Sequence, residues 1–435
     1  MIRYEIAPGG ALAGRVRVPG DKSISHRAVM LGALADGETV VDGLLEGEDV
    51  RATVAAFRAL GVAIEGPRDG RLWITGAGVD GLQAPARILD MGNSGTAMRL
   101  LAGILAAQNF DSGLTGDESL QRRPMRRIAE PLAQMGARIA TAPGGTPPLV
   151  IQGGVRLRGV DYVLPVPSAQ IKSAILFAGL YAAGQTVVHE PAPSRDHTER
   201  MLRGFGYEVV THEGRIALTG GGRLRACALE VPADLSSAAF FLVGAAIVPG
   251  SELVLSTVGV NPTRTGVLDI LALMGANIRL ENRREIGGEP VADLRVRGGG
   301  LKGIEVPESL VPLAIDEFPA LFIAAACATG RTVVRGAAEL RVKETDRITV
   351  TARALARLGV RIEERSDGII IEGGRFRAGT VDSGGDHRIA MAFAMSALRA
   401  DGPVVVEDCK NVDTSFPGFA DLARAAGLRI QVRAS

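Results

Sequence analysis

Apolar and polar positions along the chain repeat one order six times. Each repeat begins with an apolar, small-residue stretch of helical character, which leads through a glycine-containing turn into a valine-rich run, as in residues 28–41. A second helical stretch ends at a glycine, after which a short strand pattern begins. These glycines lie 68 to 84 residues apart: Gly61, Gly136, Gly206, Gly275, Gly359 and Gly427. A glycine directly after a helix and before β-branched residues is typical of a helix end followed by a strand.

The repeats predict the fold class and the domain organisation. Each reads helix, strand, helix, strand, and several show a further strand, such as residues 71–76. Repeats of this kind bury a common core by stacking, so we expect an α/β protein with two domains of three repeated βαβαββ-type units. One domain is predicted over 20–231 and the other over 1–19 and 232–435, with the first strand pairing with the last repeat. A single nucleotide-binding α/β sheet competes with this architecture, but it does not predict a sixfold repeat.

Composition narrows the class of protein. The net charge of +1 argues against nucleic-acid binding, which requires a broad basic excess. The longest apolar run, 238–248, is too short to span a bilayer, and no secretion signal is visible, so we expect a cytoplasmic protein without membrane contact. Three distant cysteines and five histidines show no metal-ligand spacing, so no metal site is expected.

The first helix of each repeat begins with a polar cluster larger than a helix cap requires. These starts are residues 22–27, 92–96, 168–172, 234–237, 316–318 and 385–388. Helix amino ends carry unpaired N–H groups and the positive end of the helix dipole, so they bind anions. If the six helices run parallel, their amino ends would converge on a cationic cleft between the domains. The candidate cations are Lys22, Arg27, Arg123, Arg195, Lys343, Arg347 and Arg388, and the candidate acids are Asp316 and Glu344.

Two further features concern the basic residues. The run 341–347 is predicted to open the second helix of the fifth repeat, with Lys343 and Arg347 four residues apart on one helical face. A solvated charged face is the ordinary interpretation of such a run. Only five of the 49 basic residues are lysines, among them Lys22 and Lys172, which indicates that lysine is kept where a compact ammonium is needed.

Seven motifs in order resemble the enolpyruvyl transferases, and among these the members that act on 3-phosphoshikimate. The motifs are GDKSISHR (20–27), GNSGTAMR (92–99), RRP (122–124), SAQIKSA (168–174), RVKETDRI (341–348), GDHRIAM (385–391) and TSFP (414–417). The motifs SAQIK (168–172), RDHTE (195–199) and NPTR (261–264) resemble the class II branch of the members that act on 3-phosphoshikimate. The resemblance implies an inside-out α/β barrel in each of two domains, with the active site between them. It also implies transfer of the enolpyruvyl group of phosphoenolpyruvate to the 5-hydroxyl of 3-phosphoshikimate, without metal or organic cofactor. We expect a monomer, because the substrate site would lie between domains of one chain.

The resemblance also assigns roles by motif position. Contacts to 3-phosphoshikimate are implied for Lys22, Ser23, Arg27, Ser168, Gln170, Arg195, Asp316 and Lys343. Contacts to phosphoenolpyruvate are implied for Lys22, Gly95, Arg123, Arg347 and Arg388. Asp316 is implied as the base that takes the hydroxyl proton and Glu344 as the acid that serves the methylene carbon, with Lys22 assisting.

The chain departs from the family pattern near its carboxyl end. Many relatives carry a lysine before the Phe-Pro pair, whereas Thr414 and Ser415 stand here, which leaves the role of nearby Lys410 open. The class II motifs indicate tolerance of the inhibitor glyphosate, while the space at Gly95 indicates sensitivity.

Two other functions compete with this interpretation. A sister transferase acts on UDP-N-acetylglucosamine and commonly uses a loop cysteine, but residues 113–123 contain none. A non-catalytic anion-binding protein is the other alternative.

Overall fold

The contacts within the chain divide it into two compact units. The structure, a computed structural model, describes residues 2–434. Unit 1 contains the residues up to Pro19, then Pro232–Glu285, and the residues from Pro290 onward. Unit 2 contains Gly20–Val231 together with Ile286–Glu289. Each unit buries its own hydrophobic core, built largely from alanine, leucine, valine and isoleucine.

Two α-helices belong to each repeat. They are α1 Lys22–Leu34, α2 Glu48–Ala59, α3 Gly95–Leu105, α4 Arg126–Gln134, α5 Ala169–Gly179, α6 His197–Gly204, α7 Leu235–Ala246, α8 Gly266–Leu273, α9 Phe318–Cys327, α10 Arg347–Arg357, α11 His387–Ser396 and α12 Phe419–Ala425. The odd-numbered helices are buried along almost their whole length, whereas most of the even-numbered helices bury one face only. The predicted starts of all six odd-numbered helices are confirmed.

The strands form six sheets within the described residues. In chain order the strands are β1 Ile2–Ile6, β2 Ala13–Val16, β3 Ala35–Asp42, β4 Ala63–Arg68, β5 Arg71–Ala77, β6 Leu89–Asp90, β7 Ser112–Thr115, β8 Arg138–Ala142, β9 Thr146–Gln152, β10 Asp161–Val163, β11 Gln185–His189, β12 Val210–His212, β13 Arg215–Thr219, β14 Leu224–Arg225, β15 Ala228–Glu230, β16 Glu252–Gly259, β17 Asn277–Ile286, β18 Glu289–Arg297, β19 Arg331–Val334, β20 Arg361–Arg365, β21 Gly368–Glu372, β22 Gly379–Asp382, β23 Val404–Glu407 and β24 Ile430–Ala434.

Each repeat contributes one sheet. In unit 2 the strand orders are β14-β3-β5-β4 with β15 also paired to β3, then β6-β7-β9-β8, and then β10-β11-β13-β12. In unit 1 they are β17-β18-β16-β2, β19-β21-β20 and β22-β23-β1-β24. Buried helices with sheets packed on them give each unit the inside-out α/β arrangement that the resemblance implies.

The helix ends predicted from the six repeated glycines are confirmed. All six glycines that follow the even-numbered helices have a positive φ, between 77° and 115°. That conformation is strained for residues with a Cβ, and it turns the chain out of the helix toward the next strand.

The first strand pairs with the last repeat, as predicted. Tyr4 of β1 lies opposite Val406 of β23 and Val432 of β24, and both pairings are antiparallel. The amino-terminal segment thereby completes a sheet of unit 1.

A glycine sets the distance between two helices of unit 2. A Cβ on Gly103 of α3 would lie 2.2 Å from the carbonyl oxygen of Ala174 on α5, closer than a side chain allows. The close approach packs the last turn of α3 against the middle of α5. No helix within residues 2–434 is long and apolar enough to cross a membrane.

Candidate active site

The amino end of α1 combines a helix cap with an ion pair. Asp21 caps the helix, because its carboxylate accepts a hydrogen bond from the Ile24 N–H at 2.9 Å. Lys22 Nζ donates to Asp49 Oδ2 at 3.0 Å, and the lysine side chain keeps 15% exposure. The ammonium is thus held in place while part of it stays open to solvent.

Arg27 lies one turn farther along α1 and is buried. Its Nε donates to Thr198 Oγ1 at 2.6 Å and its Nη2 to Ser173 Oγ at 2.8 Å, so the guanidinium links α1 to α6 and α5. Its Nη1 donates to the carbonyl oxygen of Ser23 at 2.9 Å. Three elements therefore fix this cation.

A second predicted cation, Arg195, acts electrostatically on Arg27. The pKa of Arg27 is lowered to about 10: burial is the largest cause and the positive charge of Arg195 adds to it, while Glu199 and Asp21 oppose the shift. Arg195 lies in the loop between β11 and α6. Two guanidinium groups that interact in this way repel each other in the absence of an anion, which favours binding of one.

His26 has a structural position in the same helix. Its Nδ1 lies 2.7 Å from Thr53 Oγ1 and its Nε2 lies 3.3 Å from Ser94 Oγ. Burial lowers the pKa of His26 well below its usual value, and the charges of Lys22 and Arg27 lower it further. The neutral ring thereby joins the amino end of α3 to α1.

Gly95 leaves space for two guanidinium groups at the amino end of α3. A Cβ on Gly95 would lie 3.1 Å from Arg99 Nη1 and 3.2 Å from Arg123 Nη1. Arg123 Nη2 donates to Asn93 Oδ1 at 2.7 Å and to Ser119 Oγ at 3.2 Å. The buried Arg123 is therefore held against the start of α3.

Gln170 connects α5 to the first turns of α3. Its Oε1 accepts from Arg99 Nη1 at 2.6 Å, and its Nε2 donates to Thr96 Oγ1 at 3.0 Å. Ser168 caps α5 by accepting from the Ile171 N–H at 3.4 Å. The starts of α1, α3 and α5 are thus joined by hydrogen bonds within unit 2.

In unit 1 both predicted acids bind one fully buried guanidinium. Arg347 Nη1 lies 3.4 Å from Asp316 Oδ1, and Nη2 donates to Glu344 Oε2 at 2.5 Å. Its Nε donates to Asp386 Oδ2 at 2.7 Å. Burial alone would lower the pKa of Arg347, but the three carboxylates outweigh it and raise the pKa, so the guanidinium stays charged.

Lys343 approaches the same oxygen of Asp316. Its Nζ lies 3.7 Å from Asp316 Oδ1 and 3.8 Å from Glu339 Oε1. The prediction that Lys343 and Arg347 share a helical face is wrong. Lys343 ends a 3₁₀ turn in an extended conformation, and α10 begins only at Arg347, after its N-cap Asp346. The two cations reach Asp316 from different elements.

Arg388 contacts the backbone of Asp316, and a second buried cluster contacts the side chain of the next residue. Arg388 Nη1 donates to the carbonyl oxygen of Asp316 at 3.2 Å. The next residue, Glu317, accepts a short hydrogen bond from Ser236 Oγ, which in turn accepts from Arg264 Nη2 at 2.7 Å. The starts of α7, α9 and α11 therefore meet within unit 1.

The predicted residues divide between the two units. Unit 2 carries Lys22, Ser23, Gly95, Arg27, Arg123, Ser168, Gln170 and Arg195, and unit 1 carries Asp316, Lys343, Glu344, Arg347 and Arg388. Exposed Lys410, whose role the sequence left open, forms no ion pair within residues 2–434.

Three residues of these clusters had no role in the sequence interpretation. Arg99 follows Gly95 by one helical turn, which is a usable signal for a shared face. Asp49 and Asp386 bind Lys22 and Arg347, but partners 27 and 39 residues away leave no local pattern. Within residues 2–434, no group of three or more His, Cys, Asp or Glu side chains is arranged to hold a metal ion.

Comparisons with known proteins agree along the whole chain. The family profile described as EPSP synthase (3-phosphoshikimate 1-carboxyvinyltransferase) matches residues 6–422. A 3-phosphoshikimate 1-carboxyvinyltransferase of Acidithiobacillus ferrooxidans is 64% identical over 432 residues, which cover 99% of each chain. One of Alkalilimnicola ehrlichii is 62% identical over 430 residues, covering 99% of this chain and 96% of the relative.

A solved structure agrees as well. EPSP synthase from Acinetobacter baumannii superposes with a TM-score of 0.90 at 56% identity, and the match covers all of both chains. With the profile, the relatives and the fold in agreement, the chain belongs to the EPSP synthase family.

Proposed function

We propose that the clusters of the two units act on one pair of substrates in the reaction of this family. The reaction transfers the enolpyruvyl group of phosphoenolpyruvate to the 5-hydroxyl of 3-phosphoshikimate and releases phosphate, a step of the shikimate pathway. The observation that carries the assignment of roles is the pair of carboxylates, Asp316 and Glu344, on the single guanidinium of Arg347.

The chemistry requires two groups that handle protons. The carbon–carbon double bond is present in phosphoenolpyruvate and again in the product, so the methylene carbon must gain a proton as the hydroxyl adds and lose one as phosphate leaves. A carboxylate beside the hydroxyl and a second carboxyl group beside the methylene carbon meet this need. We assign the first role to Asp316 and the second to Glu344, with Lys22 assisting.

The surroundings of Asp316 support its role as the base. Asp316 Oδ1 faces two cations, Arg347 Nη1 at 3.4 Å and Lys343 Nζ at 3.7 Å, and cations favour the ionised form that a base needs. Once Asp316 has taken the hydroxyl proton, the alkoxide oxygen adds to the carbon that bears the phosphate. Glu344 gives its proton to the methylene carbon and takes one back as phosphate leaves, and Asp316 passes the hydroxyl proton to the departing phosphate, so both carboxyl groups return to their starting states.

The cations serve the anionic groups of the substrates. Each phosphate carries about 1.5 to 2 negative charges at neutral pH, and phosphoenolpyruvate and 3-phosphoshikimate each add a carboxylate. We assign 3-phosphoshikimate to Lys22, Ser23, Arg27, Ser168, Gln170, Arg195, Asp316 and Lys343. We assign phosphoenolpyruvate to Lys22, Gly95, Arg123, Arg347 and Arg388. Buried, hydrogen-bonded guanidinium groups such as Arg27 and Arg123 suit this task, since they are held in position before the anion arrives.

Phosphate release by the purified protein tests the substrate assignment. Phosphoenolpyruvate is supplied with either 3-phosphoshikimate or UDP-N-acetylglucosamine, and we expect release with 3-phosphoshikimate only. Release with the sugar nucleotide only would show that the protein has the activity of the sister transferase. Release with neither would favour the non-catalytic anion-binding alternative.

We further propose that the enzyme acts as a monomer in the cytoplasm. One chain carries every assigned contact, and substrates with several charges do not cross a bilayer unaided. Light scattering of the purified protein, with and without both substrates, tests the oligomeric state.

A further inference from the structure

Lys172 is a fully buried cation without a role in the proposed reaction. It lies on α5, two residues after Gln170, and its side chain is 0% exposed. Nζ forms ion pairs with Glu199 Oε1 at 2.7 Å and Glu190 Oε2 at 2.9 Å, and it donates to the carbonyl oxygen of Ser194 at 3.4 Å. The three N–H groups of the ammonium therefore face three oxygens.

The three oxygens belong to the loop that carries Arg195 and to its continuation. Glu190 is the first residue after β11, Ser194 directly precedes Arg195, and Glu199 lies in the first turn of α6. The hydroxyl of Ser194 also donates a short hydrogen bond to the carboxylate of Glu190. One ammonium thus holds the loop at its beginning, beside Arg195, and at its end.

The helix that carries Lys172 also carries two of the assigned substrate contacts, Ser168 and Gln170. The residue after Lys172 extends the connection, because Ser173 Oγ lies 2.7 Å from Thr198 Oγ1 and accepts from Arg27 Nη2 at 2.8 Å. Arg27 and the Arg195 loop are therefore both fixed to α5.

The ammonium of Lys172 is stabilised in its charged form, as a permanent contact to the loop requires. Burial alone would lower the pKa of Lys172, but Glu199 and Glu190 outweigh it and raise the pKa. A compact ammonium can meet three oxygens around one point, whereas the planar fork of arginine cannot. This explains why an arginine-rich chain, with five lysines among 49 basic residues, has lysine at this position.

We propose that Lys172 is a positioning residue for the binding of 3-phosphoshikimate: it fixes the loop 190–196 so that Arg195 meets the phosphate of that substrate. The inference rests on the proposed function, because it takes Arg195 as a contact to 3-phosphoshikimate. It assigns Lys172 no contact with either substrate.

Steady-state kinetics of Lys172→Met separate positioning from a general loss of structure. We expect the KM for 3-phosphoshikimate to rise about tenfold or more, because a displacement of about 1 Å at a binding group is costly. The KM for phosphoenolpyruvate should change by less than about twofold, since Arg123 is held by Asn93 and Ser119 instead. The matched control is Lys302→Met at an exposed lysine of unit 1, which should leave both constants unchanged.

A double variant tests whether the effect passes through Arg195. Arg195→Ala should itself raise the KM for 3-phosphoshikimate, and adding Lys172→Met should then raise it by less than about twofold more. Multiplication of the two single effects would show that Lys172 acts independently of Arg195 and would overturn the proposal. So would a folded Lys172→Met protein with the wild-type KM.

A neutral variant addresses folding. Lys172→Met leaves two buried carboxylates without their cation, so Lys172→Met combined with Glu190→Gln and Glu199→Gln removes all three charges at nearly constant volume. We expect this protein to fold and to keep the raised KM for 3-phosphoshikimate. If it has the wild-type KM, or if neither variant folds, the cluster supports the fold alone and the proposal is wrong. Absence of turnover by the wild-type protein would instead contradict the proposed function.

Discussion

Arg347 and Asp386 form an ion pair whose side chains are both 0% exposed, with Nε and Oδ2 2.7 Å apart. The pair joins the first residue of α10 to the N-cap of α11. The same guanidinium holds Asp316 and Glu344, so the position of both assigned acid–base groups depends on this buried contact. Arg347 therefore contributes both to the stability of unit 1 and to the position of its acid–base groups.

Replacing Asp386 by Asn should destabilise the protein by about 3–5 kcal/mol, the usual cost of leaving one partner of a buried pair uncompensated. Asn keeps the shape and can still cap α11, so the loss reports mainly on charge. Thermal unfolding measures it. Asp421→Asn is the matched control, because Asp421 and its partner Arg424 are also 2.7 Å apart but are 82% and 50% exposed. That change should cost less than about 1 kcal/mol, and equal losses in the two variants would contradict the account.

Adding a methyl group at Gly95 should weaken binding of phosphoenolpyruvate. The new Cβ would lie 3.1 Å and 3.2 Å from guanidinium nitrogens of Arg99 and Arg123, which must move by a few tenths of an ångström. We expect Gly95→Ala to raise the KM for phosphoenolpyruvate by roughly three- to tenfold, corresponding to about 0.7–1.4 kcal/mol. The KM for 3-phosphoshikimate should change less.

Gly204→Ala is the control for this prediction, because a Cβ at Gly204 has no neighbour within 4 Å. It should leave both KM values unchanged. A larger rise for 3-phosphoshikimate than for phosphoenolpyruvate in Gly95→Ala would contradict the assignment of Gly95 to phosphoenolpyruvate.

Removing either acid–base group should reduce turnover with little effect on binding. Asp316→Asn and Glu344→Gln keep the shape of the side chain, so we expect kcat to fall about 10²- to 10⁴-fold, the usual contribution of general acid–base catalysis. Initial rates at saturating substrates measure this fall. The exposed Glu363→Gln should retain wild-type turnover. A kcat within about tenfold of wild type would remove Asp316 or Glu344 from its assigned role.

Acid should destabilise the protein partly through His26. Its pKa is lowered in the folded state, so below the ordinary histidine value near 6.5 the unfolded chain binds a proton that the folded chain does not. This contribution to stability is present above about pH 6.5 and is lost as the pH falls toward the folded pKa, by at most about 1.4 kcal/mol per pH unit.

His26→Gln should therefore show a smaller fall in thermal midpoint than the wild type between about pH 7.5 and 5.5. His212→Gln, at a histidine with a 77% exposed side chain, is the control and should keep the full fall. Identical pH profiles for His26→Gln and the wild type would contradict the burial of a neutral His26.

The sequence predicts the repeats well because their signals are local. A glycine such as Gly61 adopts the positive φ that ends a helix, and apolar residues recur along each stretch with the period of a helix or of a strand. Element order and most helix starts can therefore be identified without tertiary information. The pairing of β1 with β23 and β24 is nonlocal, but it follows from a strand left over in the count of repeats.

The side-chain clusters are predicted less well because their partners are distant in the sequence. Arg27 binds Ser173 and Thr198, 146 and 171 residues away, and no local pattern reports such contacts. The misplaced Lys343 shows a different cause. A spacing of four residues indicates a shared face only inside a helix, and Asp346, which caps α10, places Lys343 before its start. An N-cap residue three positions before Thr349 was the available signal.

In the proposed mechanism the methylene carbon of phosphoenolpyruvate gains one proton and then loses one, through Glu344. Turnover in D₂O, with mass spectrometry of the enolpyruvyl product, tests it most directly. We expect deuterium in the vinyl group of a large share of the product, and a loss of this incorporation together with turnover in Glu344→Gln. A vinyl group that carries only the original hydrogens after many turnovers of the wild type would contradict the addition and elimination of a proton at that carbon.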